Sequence, residues 1–136
     1  MKVLDVIVCK AGKSVSANLP EVDGFVISRP SFDKLKKDLR SGLEFHFEGL
    51  YEEERQPWMS EGYAFNFIFE DIPALIDSFN GTLNQSLLAR IAGINESLMR
   101  QYVAGIKKPG KKVKERIKNG LKEFAVELNN IRFTGV

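Results

Sequence analysis

The sequence of 136 residues predicts an α+β protein, with a small β-β-β-α-β domain over residues 1–70 and an all-α domain over 71–136. Three observations carry this reading. Apolar residues fall in short strand-like runs as far as Ser28, at helical steps from Phe32, and in a strand again at Tyr63–Phe69. From Asp71 onward the apolar pattern is helical, apart from a short extended tail over 129–136. The charge divides in the same way. Residues 1–80 hold 9 Lys/Arg against 14 Asp/Glu, a balance of −5, whereas residues 81–136 hold 11 against 4, a balance of +7. Such polarity implies two modules with different partners, one acidic and one that attracts polyanions.

Val3 to Cys9 is almost continuously apolar, as in a strand buried on both faces. Ala11-Gly12-Lys13 is a turn signal before a second strand at Ser14–Leu19, and Glu21-Val22-Asp23-Gly24 is another before a third at Phe25–Ser28. Pro30 and Ser31 stop this antiparallel meander and offer a helix start. Phe32, Leu35, Leu39, Leu43, Phe47 and Leu50 then form one apolar stripe on a helix expected to end near the acidic run Glu52–Glu54 and Pro57. In Tyr63–Phe69 four aromatic residues share one parity, which gives a strand an aromatic face. Base stacking is one use of such a face, but the acidic surroundings repel phosphates, so core packing under the helix is the expectation.

Composition removes several function classes. With 43% apolar residues and no apolar run near the roughly 20 residues of a membrane helix, a membrane span is not expected. Met1–Asp5 carries charge within a short apolar stretch and lacks a small-residue cleavage pattern, so no secretory signal is expected. The single Cys9 excludes an internal disulfide and fits a reducing cytoplasm, the expected location. The single His46, between Phe45 and Phe47, rules out sites that need two histidines and reads as a surface or partly packed helix residue. Asp5, Glu44 or Glu48, and Asp71 run in the order of carboxylates that hold two magnesium ions in ribonuclease H-like nucleases. No local motif supports such a site, so no catalysis, metal or cofactor is expected.

The basic half is more specific. Asp71–Phe79 reads as a short helix with Pro73 early in it, ended by Asn80-Gly81. Thr82, three residues before Gln85, has capping-box spacing and predicts a helix from Leu83 through Leu87, Leu88 and Ile91 to Gly93. Asn95 is the expected N-cap of a helix over Glu96–Ala104, with Gly105 as its left-handed stop and Pro109-Gly110 as a break. Two short helices joined at Gly93, with small Ala89 at their crossing and Ile94, Met99 and Tyr102 facing inward, meet the requirements of a helix-turn-helix. A last helix carries Val113, Ile117, Leu121, Phe124 and Leu128 on one stripe, which either closes the helical bundle or forms a dimer seam.

Leu88-Ala89 to Pro109, with Gly93-Ile94, Tyr102, Gly105 and Lys107, resembles the Cro/C1-type helix-turn-helix of phage repressors and bacterial regulators. Following a β-β-β-α-β domain, it makes the whole chain resemble a HicB-type antitoxin, which joins a degenerate ribonuclease H-like domain to a DNA-binding domain. Leu19–Phe25 loosely resembles that family's strand-turn-strand. The resemblance implies an acidic module that neutralises a small basic mRNA-cleaving toxin, HicA, and a basic module that represses the operon. The alternatives are a helix-turn-helix regulator whose first domain senses a ligand or oligomerises, and the metal-dependent nuclease above.

In a helix-turn-helix the second helix enters the major groove by its N-terminal part, so Glu96, Ser97, Arg100 and Gln101 are the expected base-facing residues. Arg100 suits guanine, Gln101 adenine, and Glu96 either a cytosine contact or the helix dipole. Asn95 is a cap first and a phosphate contact second. Gln85, Lys107 and Lys108, with Lys111 and Lys112 beyond them, are the expected phosphate contacts. A single reading helix contacts few bases, so a homodimer or higher homo-oligomer on double-stranded operator DNA is expected.

Overall fold

A computed structural model describes residues 1–136, all within two compact units, Met1–Ser78 and Phe79–Val136. The first holds strands β1 (Lys2–Ala11), β2 (Ser14–Asn18), β3 (Val26–Arg29) and β4 (Tyr63–Phe69), and helices α1 (Phe32–Glu48), α2 (Trp58–Glu61) and α3 (Ile72–Ser78). The second holds helices α4 (Gln85–Ala92), α5 (Glu96–Val103) and α6 (Lys111–Asn129). The protein is thus mixed α and β, with a strand-rich first part followed by helices.

In the first unit β1, β2 and β3 pair antiparallel, and β4 lies parallel to β1, giving the order β3-β2-β1-β4. Helix α1 makes the connection from one sheet edge to the other. It starts where Ser31 leaves extended backbone and its Oγ accepts from the Lys34 N–H at 3.2 Å. Its stripe of Phe32, Leu35, Leu39, Leu43 and Phe47 is buried against Leu4, Val6, Val8, Val15, Ala17 and Ile27 of the sheet. The helix ends at Glu48, short of the acidic run, where Arg55 reaches back to the Glu48 and Leu50 carbonyls. The 3-10 turn Glu52–Glu54 and α2 follow, and neither was legible as an element in the sequence.

The expectation that β1 is buried on both faces is overturned. Leu4, Val6 and Val8 are fully buried, but Val3 and Asp5 on the other parity are exposed, because helices cover the sheet on one side only. Its continuous apolar run reflects the open face as much as the core. On the aromatic strand, Tyr63 is buried and Phe65, Phe67 and Phe69 pack half-buried against the core. Phe32 meets Phe67 edge-on at 5.1 Å between ring centroids, so these rings pack as expected.

The boundary expected at 70/71 lies instead at 78/79. Helix α3 belongs to the first unit, where Ala74 is fully buried in the core. Asp71 caps α3 by accepting from the Ala74 N–H at 2.8 Å and also accepts from the Lys10 N–H at 3.0 Å. Asp77 accepts from the Phe32 N–H at 2.8 Å and from Lys10 Nζ at 3.0 Å, tying α3 to the start of α1 and to β1. Hydrogen bonds to charged groups contribute about 1.5–3 kcal/mol each. A 1–70 fragment should therefore be at least about 3 kcal/mol less stable than a 1–78 fragment in urea unfolding. Equal midpoints would show that α3 contributes nothing to the first unit.

Candidate nucleic-acid interface

In the second unit the first helix starts later than expected, at Gln85. Its cap is Asn84, whose Oδ1 accepts from the Leu87 N–H at 2.9 Å. Thr82 instead donates its hydroxyl to the Phe79 carbonyl, so the expected Thr82–Gln85 capping box does not form. The buried face of α4 is Leu88, Ala89 and Ala92. Gly93 then takes φ 64°, ψ 38°, a left-handed conformation that a side chain resists, and its N–H closes onto Ala89 and Arg90. Ile94 folds back with its N–H on the Ala89 carbonyl at 2.9 Å and is buried.

Asn95 caps α5 twice, accepting from the Ser97 N–H at 2.8 Å and the Leu98 N–H at 3.3 Å. Its Oδ1 is consumed by the cap, which leaves only its amide nitrogen for a phosphate. Replacing Asn95 with alanine should lower the stability of the second unit by about 1 kcal/mol in thermal unfolding, and an unchanged midpoint would refute the cap. Met99 and Tyr102 hold α5 to its unit from the inside. Glu96, Ser97, Arg100 and Gln101 are all exposed. At 100° per residue these four span an arc of about 140° and make one continuous outward face. The chain then turns at Gly105, φ 76°, and presents exposed Lys107 and Lys108.

Glu96 is not free to act on a base alone. Its Oε1 accepts from the Ser86 hydroxyl at 2.7 Å, joining the first turns of α4 and α5. That bond, with its place in the first turn of α5, favours the helix-dipole role over a cytosine contact. Gln85 is half-buried at the first position of α4, less open than the other candidates.

Sequence reasoning missed two features. Arg116 of α6 donates to the Gly93 carbonyl and so pins the turn between α4 and α5. Its signal was only a basic residue four positions after Lys112. The start of α6 has Gly110 as N-cap, no side-chain cap and no acid in its first turn, with exposed Lys111 and Lys112 there instead. Lysines against the positive end of a helix dipole are locally unfavourable, and together with uncapped N–H groups they suit an anion.

The acids considered for two magnesium ions do not assemble. Asp5 lies on the sheet face opposite α1 and accepts from Asn66 Nδ2, Glu44 belongs to α1 on the covered side, and Asp71 is engaged with Lys10 and Ala74. No three His, Cys, Asp or Glu side chains come together as a metal site. His46 packs edge-on to Phe25 at 5.5 Å. Burial, followed by the Glu70 and Asp71 carboxylates, raises the pKa of Cys9 and keeps it a thiol. No helix is long and apolar enough to cross a membrane. No protein-family model, curated protein or solved structure matches the chain.

Proposed function

We propose that the second unit binds double-stranded operator DNA as a helix-turn-helix, with α5 as the reading helix. The observation that carries this reading is the outward face of α5, where Ser97, Arg100 and Gln101 stand exposed beside Lys107 and Lys108 in a unit of balance +7. Arg100 supplies two donors for guanine and Gln101 one donor and one acceptor for adenine, and the lysines with the uncapped start of α6 supply phosphate contacts. The test is fluorescence anisotropy of the full chain on DNA from upstream of its own coding sequence, across a salt series. Specific binding that weakens steeply with salt supports the reading, and no preference over scrambled DNA at low salt sinks it.

The first unit, of balance −5, is in this reading the inhibitory module of a HicB-like antitoxin, docking on a small basic HicA-type ribonuclease. Affinity capture with the full chain from its own cell extract should recover a small basic protein in equal amount. One observation favours a second reading, a ligand-sensing regulator. A cavity of about 460 Å³ lies against the C-terminal half of α1, lined by Glu44, Phe47, Glu48, Arg55, Gln56 and Met59, within the size range of small-molecule sites. Recovery of no such protein would favour that alternative.

A further inference from the structure

The sheet of the first unit ends on β4, and that edge is both open and locally basic. In a parallel pair each residue turns its N–H and C=O to the same side. The Glu70 N–H bonds to the Val8 carbonyl at 2.8 Å, so by alternation Ala64, Asn66 and Ile68 address β1, and Tyr63, Phe65, Phe67 and Phe69 turn outward. Arg40 donates to the outward Tyr63 carbonyl at 3.1 Å, which closes that end. The backbone groups of Phe65, Phe67 and Phe69 have no strand beside them. Edge strands are commonly kept from pairing by short length, charge, proline or a bulge, whereas β4 has seven residues, no charge, no proline and an unbroken register. The charge stands beside the strand, on α1. Arg40 Cζ lies 4.9 Å from the centroid of the Phe65 ring, and Lys36 Nζ lies 5.9 Å from that of Phe67. Both residues are exposed, and neither is ion-paired: the ion pairs of this unit join Lys2 to Glu21, Lys10 to Asp77, and Arg29 and Lys34 to Asp38. Within a unit of balance −5, the open edge thus meets two cations that lack a carboxylate.

We propose that β4 takes up an acidic extended peptide of a partner protein as a fifth strand, with acids at alternate positions. Residues directly opposite one another on paired strands share a face of the sheet. Those opposite Phe65 and Phe67 therefore place their side chains on the α1 side, beside Arg40 and Lys36, and they are alternate residues of one strand. The residue between them stands opposite Asn66 on the bare face. Asp5, bonded to Asn66, disfavours a further acid there, so the pattern is acid, uncharged residue, acid. Antiparallel pairing is the more stable per residue, and it brings the N–H groups of both acids to the Phe65 and Phe67 carbonyls. A second copy of this chain does not supply such a strand. Its β4 edge carries the same cations, and its own closely spaced acids, Glu21 with Asp23 and Glu52–Glu54, are held in turns. Single-stranded nucleic acid is disfavoured, because the rings are packed half-buried against the core instead of lying open for stacking.

The partner is opposite in charge to the basic ribonuclease proposed for this unit, and the test contains neither that protein nor operator DNA, so the two readings fail separately. Fluorescence anisotropy of a dye-labelled peptide, Thr-Val-Glu-Val-Glu-Val-Thr, capped at both ends, is measured on the purified full chain at low salt. It should bind, and the same peptide with lysine for glutamate should not. Lys36→Glu, at an exposed position, should weaken binding by about fivefold, with unchanged Trp58 emission as the check on the fold. Arg40→Gln should act in the same direction while keeping an amide donor for the Tyr63 carbonyl. These variants also separate the edge from the basic second unit, which attracts acids without reading a strand. The pairing has its own test. N-methylation of both glutamates removes the N–H groups that face β4 and should abolish binding, whereas N-methylation of the valine between them, whose N–H faces away, should leave it. An acidic peptide that does not bind, binding indifferent to Lys36→Glu, or an equal effect of the two methylations would overturn the proposal. So would an oligothymidine whose affinity falls with Lys36→Glu, which would assign the edge to nucleic acid.

Discussion

Replacing Gly120 with valine should destabilise the second unit by about 2–3 kcal/mol while leaving the first intact. Gly120 sits in the middle of α6, is buried, and faces the backbone of α4. A Cβ built there would overlap the Ile91 carbonyl oxygen and carbon and come within 3.1 Å of the Ala92 nitrogen. Those are backbone atoms of a helix and cannot turn aside as a flexible side chain would. The two helices would have to separate, loosening Leu88 and Ile117 as well. Glycine in a helix interior costs about 1 kcal/mol relative to alanine, so relief of that cost offsets part of the loss. Overpacking of a well-packed contact costs about 3 kcal/mol at its upper end, and a β-branched side chain against backbone belongs there. For a unit of this size each kcal/mol lowers the midpoint by about 4–8 °C. The check is a thermal scan with two probes. Helical circular dichroism should show an early transition, whereas emission from Trp58, the only tryptophan and a residue of the first unit, should hold its wild-type midpoint. A single unshifted transition in both probes would mean that the helices do not cross at Gly120.

Arg100→Ala should weaken specific DNA binding by about 1–3 kcal/mol, roughly 5- to 150-fold, with little change in stability. Arg100 is exposed on α5, and its backbone closes the helix by accepting from the Ala104 N–H at 3.0 Å, a bond that alanine keeps. Loss should fall on one base pair of the operator and leave capture of a basic protein by the first unit unchanged. Lys107→Ala should weaken all sequences alike and reduce the salt slope by about 1. An Arg100→Ala variant with wild-type operator affinity would show that α5 is not the reading helix.

Much of this was legible because its causes are local. Ser31 and Asn95 are capping residues in front of apolar stripes, and both helices start there. Gly93 and Gly105 stand where only a left-handed turn continues the pattern, and both have positive φ. The exposed α5 face follows from counting 100° per residue once Met99 and Tyr102 are assigned inward. Misreadings arose where two residues compete for a local role or where a distant partner decides. Thr82 and Asn84 both precede the helix, and the hydroxyl of Thr82 found the Phe79 carbonyl first. Nothing near Glu96 in the sequence indicates that Ser86, ten residues earlier, lies within hydrogen-bond reach.

By itself the sequence determined the kinds and order of the elements other than the 3-10 turn at Glu52–Glu54 and α2, and the division of charge, because side-chain period, caps and glycine conformations act within a few residues. Tertiary structure decided the rest. It assigned α3 to the first unit through Asp77 and Ala74, set β4 parallel to β1 at an open edge, and left one face of the sheet bare. It also brought α6 against α4 at Gly120. Each of these is a choice of partner between segments far apart in the chain, settled by which surfaces can bury each other.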